Sequence, residues 1–143
     1  PLSTRPWQHV LEPISGYIIL AHNLNNKKSK INYESFNFAP NTFKNITVKK
    51  MIYEISKQWN VINPVYIKNK SHSIESKLLQ LDSSKAKNKL GWQSVLNLDQ
   101  TLSFTIDWYK NYFENPNSIY EFSLNQINKY LEIVNNKRLW KQI

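Results

Sequence analysis

The scarcity of glycine constrains this chain more than any other feature of its sequence. Among its 143 residues there are two glycines, Gly16 and Gly91, and they lie far apart. A dinucleotide-binding fingerprint needs three closely spaced glycines, for its tight turn, the approach of the pyrophosphate and the packing of the helix, and a Walker loop needs two. The chain therefore contains neither phosphate-binding loop, and we expect it to bind no dinucleotide cofactor by itself.

Length and composition favour one compact domain. The chain is 41% hydrophobic and 13% aromatic, which is enough to form a core in 143 residues. It contains no cysteine, which excludes disulfides, thiolate metal sites and thiol nucleophiles and favours a cytoplasmic location. Its three histidines are far apart in the sequence, so no metal site is expected. The longest apolar run, residues 17–21, is much too short to span a membrane.

The chain is basic, with 19 Lys and Arg against 10 Asp and Glu and a net charge of +9. Such a charge is typical of a module that binds nucleic acid or another anionic partner through phosphates. The lysines are spread in short pairs rather than clustered, however, and asparagine, which is uncharged, is also abundant. We therefore favour a compositional bias over nucleic-acid binding, and a self-standing basic module stays the alternative function.

Helices dominate the predicted secondary structure. Apolar spacing predicts five of them, over residues 10–26, 47–59, 83–91, 97–114 and 123–134. The first is expected to bury an apolar face of Val10, Leu11, Ile14, Tyr17, Ile18, Ala21 and Leu24. Candidate N-terminal caps are Thr47, Ser83 and two capping boxes, Asn97 with Gln100 and Ser123 with Gln126. We interpret the aromatic residues at helical spacing as core rather than as a base-stacking surface: Trp92, Trp108, Tyr109, Tyr112 and Phe113.

The predicted strands are few and short, over residues 35–39, 64–67 and 78–81. Helices that alternate with strands indicate an α/β domain. Three short strands are too few for a complete doubly wound sheet. We therefore expect a helix-rich domain with the remnant of a sheet.

The string Arg5-Pro6-Trp7-Gln8-His9 has the composition of a site rather than of a helix or strand. Arg5 stands almost alone among many lysines, and its planar guanidinium fits a phosphate in a bidentate way. Its position at the N-terminus, with no Met before it, suggests a chain cut from a longer one. Two Tyr-x-x-x-Lys pairs, Tyr53/Lys57 and Tyr66/Lys70, also match the spacing of a dehydrogenase, but about one such pair is expected by chance in this composition.

Residues 4–13, Thr-Arg-Pro-Trp-Gln-His-Val-Leu-Glu-Pro, resemble the motif that follows the Rossmann core in the CDP-glucose 4,6-dehydratases of the extended short-chain dehydrogenase/reductase superfamily. Later motifs agree in order. Residues 36–41 resemble the family's Asn-Phe-Gly-Pro turn, residues 79–92 its late strand and helix, and residues 105–110 its penultimate helix. The resemblance covers residues 1 to about 130, and Ala39 stands where the family usually has glycine.

The resemblance implies a helix-rich substrate-binding lobe over residues 1–134, without the Rossmann core, followed by a basic tail over 135–143. Enzymes of this family use bound NAD to oxidise C4 of the sugar, eliminate water across C5–C6 and return the hydride to C6. Their glycine loop, catalytic Tyr-x-x-x-Lys and acid–base pair belong to the part that this chain lacks. No catalytic residue and no cofactor site is therefore expected here.

The resemblance also implies roles for individual residues. Arg5 would bind the diphosphate of CDP-glucose, and Trp7, Gln8 and His9 would line the pocket. His72 and Glu75 would lie in the loop that closes over the nucleoside. The implied function is the substrate-binding part of a lyase of nucleotide-sugar and lipopolysaccharide biosynthesis, inactive alone. Its expected partners are the missing Rossmann domain and, through an exposed apolar face, a second copy of the chain.

Overall fold

The computed structural model describes residues 2–26, 29, 31–40, 45–60, 65 and 77–137. These residues form five α-helices and a short 3-10 helix, which fits the predicted dominance of helix. In chain order they are α1 (Leu11–Asn25), α2 (Val48–Gln58), α3 (Ser84–Leu90), α4 (Leu98–Glu114), the 3-10 helix (Pro116–Ser118) and α5 (Ile119–Asn136). Within this part of the chain, no helix is long and apolar enough to cross a membrane.

The β structure of the described residues is limited to isolated bridges at Thr4. This residue pairs with Thr47 in an antiparallel bridge and with Leu78 in a parallel bridge. The strand predicted over 35–39 is wrong, because residues 34–40 run irregularly there, without strand or bridge pairing. Of the strand predicted over 64–67, only Val65 lies within the described residues. The α/β expectation therefore holds in its helical part alone.

The first helix forms where it was predicted but buries the opposite face. Its buried residues are Glu12, Ser15, Gly16 and Ile19. Ile18 is 54% exposed and its neighbour Ile19 only 5%. Most of the predicted apolar face is exposed, namely Val10, Ile14, Tyr17, Ile18, Ala21 and Leu24. The prediction of the buried face was wrong because small residues, not large ones, allow the close approach on this side: a Cβ on Gly16 would lie 2.3 Å from the ring of Phe38.

The helix ends follow local sequence signals in most cases. Thr47 accepts a hydrogen bond from the N–H of Lys50 at the start of α2, and Asn97 and Gln100 form the predicted capping box of α4. α3 ends at Gly91, whose φ of 68° is left-handed, as its C-terminal cap requires. The predicted cap at Ser83 is wrong, because its side chain makes no capping hydrogen bond. The carboxylate of Asp82 instead accepts from the N–H of Ser84 at the start of α3, at 2.8 Å.

The capping box predicted for the last helix is wrong. α5 begins at Ile119, so Ser123 lies inside the helix, where its hydroxyl donates to the carbonyl of Ile119 and accepts from the indole of Trp108. Gln126 instead donates to the carbonyl of Phe104 on α4 at 2.7 Å. Both side chains therefore form hydrogen bonds between α4 and α5. A local sequence pattern cannot reveal such contacts between helices.

Three apolar clusters form the core. One joins α1 to α3 (Ile19, Phe38, Ala86, Leu90 and Trp92), one joins α4 to α5 (Val95, Leu96, Phe104, Tyr130 and Val134), and one joins α2 to α4 (Ile46, Met51, Leu102 and Ile106). Of the aromatic residues interpreted as core, Trp92 is fully buried, whereas Tyr109, Tyr112 and Phe113 are exposed. The core interpretation is therefore confirmed for Trp92 and wrong for those three, because on the last turns of α4 their rings lie outside the three buried clusters.

Candidate functional site

The N-terminal string follows a peptide group that is bonded to two other segments and contains a turn at Pro6, where the N–H of Trp7 donates to the carbonyl of Arg5. The N–H of Thr4 donates to the carbonyl of Lys77 at 2.9 Å, and the carbonyl of Ser3 accepts from the N–H of Val48 at 3.0 Å. These two bonds fix the peptide group that joins Ser3 to Thr4. Arg5 follows directly, half-buried, with its Nη1 donating to the carbonyl of Thr4 at 2.7 Å.

Arg5 lines a cavity of about 300 Å³, which we call the Arg5 cavity. Its lining comes from three stretches of sequence, namely Arg5 and Pro6, then Ala39, Pro40 and Asn45, then Leu79 to Ser84. The described lining includes one cation, Arg5, and one carboxylate, Asp82. All three stretches contain motifs on which the family resemblance depends, although they are far apart in the sequence. The fold thus brings these motifs to one polar cavity.

Trp7 and Gln8 do not line the Arg5 cavity but bind the backbone beside it. The indole Nε1 of Trp7 donates to the carbonyl of Ile46 at 2.9 Å. The amide Nε2 of Gln8 donates to the carbonyl of Phe38 at 3.0 Å. Both side chains therefore hold segments that precede or follow cavity residues, and their role as direct substrate ligands stays a prediction.

His9 is buried within the core and lies outside the residues that line the Arg5 cavity. Its ring packs edge-on against Phe104, with 5.4 Å between ring centroids, and its Nδ1 accepts from the N–H of Leu11 at 3.3 Å. Burial lowers the pKa of His9 to about 4. The imidazole is therefore neutral at physiological pH, so it adds no positive charge for a phosphate.

Glu12 is the polar residue that the sequence patterns missed. Its carboxylate is 1% exposed and accepts hydrogen bonds from the N–H groups of Val95 (2.9 Å) and Leu96 (2.7 Å) and from the hydroxyl of Tyr130 (3.0 Å). Burial raises the pKa of Glu12, while these hydrogen bonds lower it and offset part of the effect. The signal that could have found it is the spacing of Glu12, Ser15, Gly16 and Ile19, which places small residues on one face of α1.

Two predicted site residues, His72 and Glu75, lie outside the described residues, as does the pair Tyr66/Lys70. The other Tyr-x-x-x-Lys pair is on the surface of α2. There Lys57 lies over the ring of Tyr53 at 4.3 Å and forms an ion pair with Glu54 at 3.0 Å. A separate groove of about 420 Å³ between α4 and α5 contains none of the predicted site residues in its lining.

The two glycines of the chain do not form a dinucleotide-binding loop. Gly16 lies inside α1, where a Cβ would collide with Phe38, and Gly91 forms the C-terminal cap of α3. Neither glycine therefore belongs to a turn between a strand and a helix, which is where a pyrophosphate would bind. Within the same residues, no group of three or more His, Asp or Glu side chains is arranged to hold a metal ion.

Fold and cavity together define a helical lobe with a small polar cavity at a single arginine. Among curated proteins, this chain is similar to the CDP-glucose 4,6-dehydratase of Salmonella typhimurium, with 37% identity over 110 residues. The match covers 77% of this chain and 30% of the relative, so the chain spans about a third of the length of the curated relative it matches. No model of a protein family matches the chain. The similarity supports a distant relationship to part of such an enzyme.

Proposed function

We propose that this chain supplies the substrate-binding part of an NAD-dependent CDP-glucose 4,6-dehydratase and is inactive alone. The observation that carries the proposal is the convergence of three family-like motifs on the Arg5 cavity. A guanidinium presents parallel N–H donors that suit the oxygens of a diphosphate. Arg5 would bind the diphosphate of CDP-glucose there, and its positive charge would orient the nucleotide sugar across the mouth of the cavity.

The size of the Arg5 cavity fits half of a binding site. Its volume of about 300 Å³ lies at the lower limit for ligand pockets. A nucleotide sugar that placed its diphosphate at Arg5 would extend beyond this volume, and a second lobe would have to cover the remainder. NAD and the residues that transfer protons and hydride would belong to that second lobe, since neither glycine of this chain lies in a turn that could bind a pyrophosphate.

The exposed face of α1 supports the same proposal. Val10, Tyr17, Ile18 and Leu24 are each more than half exposed, and Ile14 lies beside them. A contiguous apolar surface of this kind on a soluble protein marks a contact with another protein surface. In the proposed enzyme, the missing dinucleotide-binding domain would cover this face, and a second copy of the chain is the alternative partner.

Binding of nucleic acid is less well supported, because several lysines are engaged within the chain. Lys85 and Lys89 form ion pairs with Glu34 at 3.0 and 2.6 Å. Lys110 donates to the carbonyl of Gln58 at 2.9 Å, and Lys137 donates to the carbonyl of Val95 at 2.5 Å. These contacts spread the positive charge over different helices, so no single basic surface is built from them.

The test is a titration of the ¹⁵N-labelled 143-residue chain with CDP, followed by NMR. We expect CDP to shift the amide signals of Arg5, Ala39, Asn45 and Gln80. Replacement of Arg5 by Ala should raise the dissociation constant at least about tenfold, because it removes charge-assisted hydrogen bonds to the diphosphate.

The matched control is Arg138→Ala, which removes the only other arginine of the chain. Its dissociation constant for CDP should equal that of the unmodified chain. Shifts confined to the groove between α4 and α5, or equal weakening by both arginine variants, would contradict the proposal.

A further inference from the structure

We propose that Trp7 and Gln8 are positioning residues for the Arg5 cavity, holding one of its walls by its backbone rather than touching the ligand. This inference rests on the proposed function, because it concerns the cavity in which Arg5 would bind a diphosphate. It assigns to the two side chains a role that differs from pocket lining.

The wall in question consists of Ala39, Pro40 and Asn45, which line the cavity together with Arg5 and Pro6. Trp7 holds one end of it, since its indole donates to the carbonyl of Ile46, the residue after Asn45. Gln8 holds the other end, since its amide donates to the carbonyl of Phe38, the residue before Ala39. Each bond is thus one residue away from a lining residue.

The third wall, Leu79 to Ser84, follows two residues that are bonded to Thr4, the residue just before the string. The N–H of Thr4 donates to the carbonyl of Lys77, and Thr4 forms the parallel bridge with Leu78. Residues 4, 7 and 8 therefore connect the segment that contains Arg5 to both of the other walls. These connections hold the backbone of Arg5 close to both of the other walls.

The wall at Asn45 contains a left-handed residue, since the φ of Asn45 is 63°. Asparagine adopts this region more readily than most residues other than glycine, as a single residue between other conformations. The indole of Trp7 supplies a hydrogen bond to the adjacent residue, so its loss should release the wall.

The experiment compares two variants with controls of the same chemistry elsewhere in the chain. Trp7→Phe removes the indole N–H and keeps an aromatic ring, and its control is Trp108→Phe, which removes the bond from the indole to Ser123. Gln8→Leu removes the amide, and its control is Gln126→Leu, which removes the corresponding bond to the carbonyl of Phe104.

The Gln8→Leu variant also removes an unsatisfied polar atom. The Oε1 of Gln8 is buried and has no hydrogen-bond partner in the described part of the chain. Its removal offsets part of the cost of leaving the carbonyl of Phe38 without its donor. Thermal unfolding of this variant separates a loss of affinity from a loss of the fold.

Two quantities are measured by NMR on each folded variant: the dissociation constant for CDP, with inorganic pyrophosphate as a second probe, and hydrogen exchange at the amides of Ala39 and Asn45. We expect Trp7→Phe and Gln8→Leu to weaken binding of both probes about three- to tenfold, the effect of one lost hydrogen bond. Exchange should accelerate at Asn45 in Trp7→Phe and at Ala39 in Gln8→Leu. Both controls should leave binding and exchange unchanged.

The outcomes separate the inference from the proposed function. If Arg5→Ala weakens binding while Trp7→Phe and Gln8→Leu match their controls, the positioning role is wrong and the proposed function stands. If CDP does not bind, or if Arg5→Ala leaves its dissociation constant unchanged, the proposed function fails and the inference fails with it. Thermal unfolding of all variants identifies any change that reflects loss of the fold.

Discussion

His9 is a buried histidine whose ring packs edge-on against Phe104 and whose Nδ1 accepts a backbone hydrogen bond from Leu11. Moving a charged imidazolium from water into this buried environment is unfavourable, so burial keeps the ring of His9 neutral. The histidine to which the resemblance assigned a place in the pocket lining is therefore a core residue here. Nothing in the spacing of residues 5–9 distinguishes the two roles, because burial depends on where α4 lies.

The pKa of His9 predicts how stability varies with pH. The imidazole of His9 binds a proton near pH 6.5 in the unfolded chain, whereas burial lowers its pKa to about 4 in the folded chain. The contribution of His9 to the free energy of unfolding should therefore fall as the pH is lowered from 6.5 to 4, by up to about 3 kcal/mol. His9→Asn, which keeps a hydrogen-bond acceptor and does not titrate, should lack this dependence.

Urea denaturation at several pH values measures the effect. The control is His22→Asn, an exposed position on α1, which should retain the pH dependence of the unmodified chain. An identical slope for His9→Asn and the unmodified chain would contradict the assignment of the slope to His9.

α1 is an element whose existence follows from its sequence but whose orientation does not. Apolar residues at helical spacing predicted residues 10–26, and the helix spans Leu11–Asn25. The same pattern predicted the wrong buried face, because it assumes that the larger apolar stripe faces the core. The packed face instead carries Gly16, which lets the ring of Phe38 approach the helix backbone.

Two adjacent isoleucines test this orientation. Ile19→Ala should lower the free energy of unfolding by about 2–5 kcal/mol, since it opens a cavity in the cluster with Phe38 and Trp92. Ile18→Ala should change it by less than about 0.5 kcal/mol, because Ile18 is 54% exposed. Urea denaturation of both variants gives the comparison, in which each isoleucine is the control for the other. Equal losses would mean that both faces are buried in solution.

For the molecule as a whole, a buried polar network joins parts that are distant in the sequence. Glu12 on α1 accepts from the backbone of Val95 and Leu96 and from the hydroxyl of Tyr130 on α5. The hydroxyl of Ser15 accepts from the indole of Trp92 at 2.9 Å and lies 3.1 Å from the hydroxyl of Tyr130. The network therefore fixes α1, the segment before α4 and α5 relative to one another.

Removing one hydroxyl from this network should be costly. Tyr130→Phe leaves the Glu12 carboxylate without one of its donors, so we expect the free energy of unfolding to fall by about 1–3 kcal/mol. Tyr112→Phe, at an exposed position of α4, is the matched control and should have little effect. Thermal or urea denaturation measures both, and similar stabilities for the two variants would show that the network does not stabilise the fold.

Local sequence patterns were sufficient for the extents of α1, α2 and α4, the capping box of Asn97 and Gln100, and the left-handed cap at Gly91. These features follow from contacts within a few residues, which a local pattern records. Tertiary packing, by contrast, sets which face of α1 is buried, makes Ser123 and Gln126 join helices rather than cap one, and encloses Glu12. It also decided that three distant motifs share the Arg5 cavity while Trp7 and Gln8 bind the backbone beside it. The reason is that burial and hydrogen-bond partners depend on segments 15 or more residues away, and sequence spacing contains no record of where those segments lie.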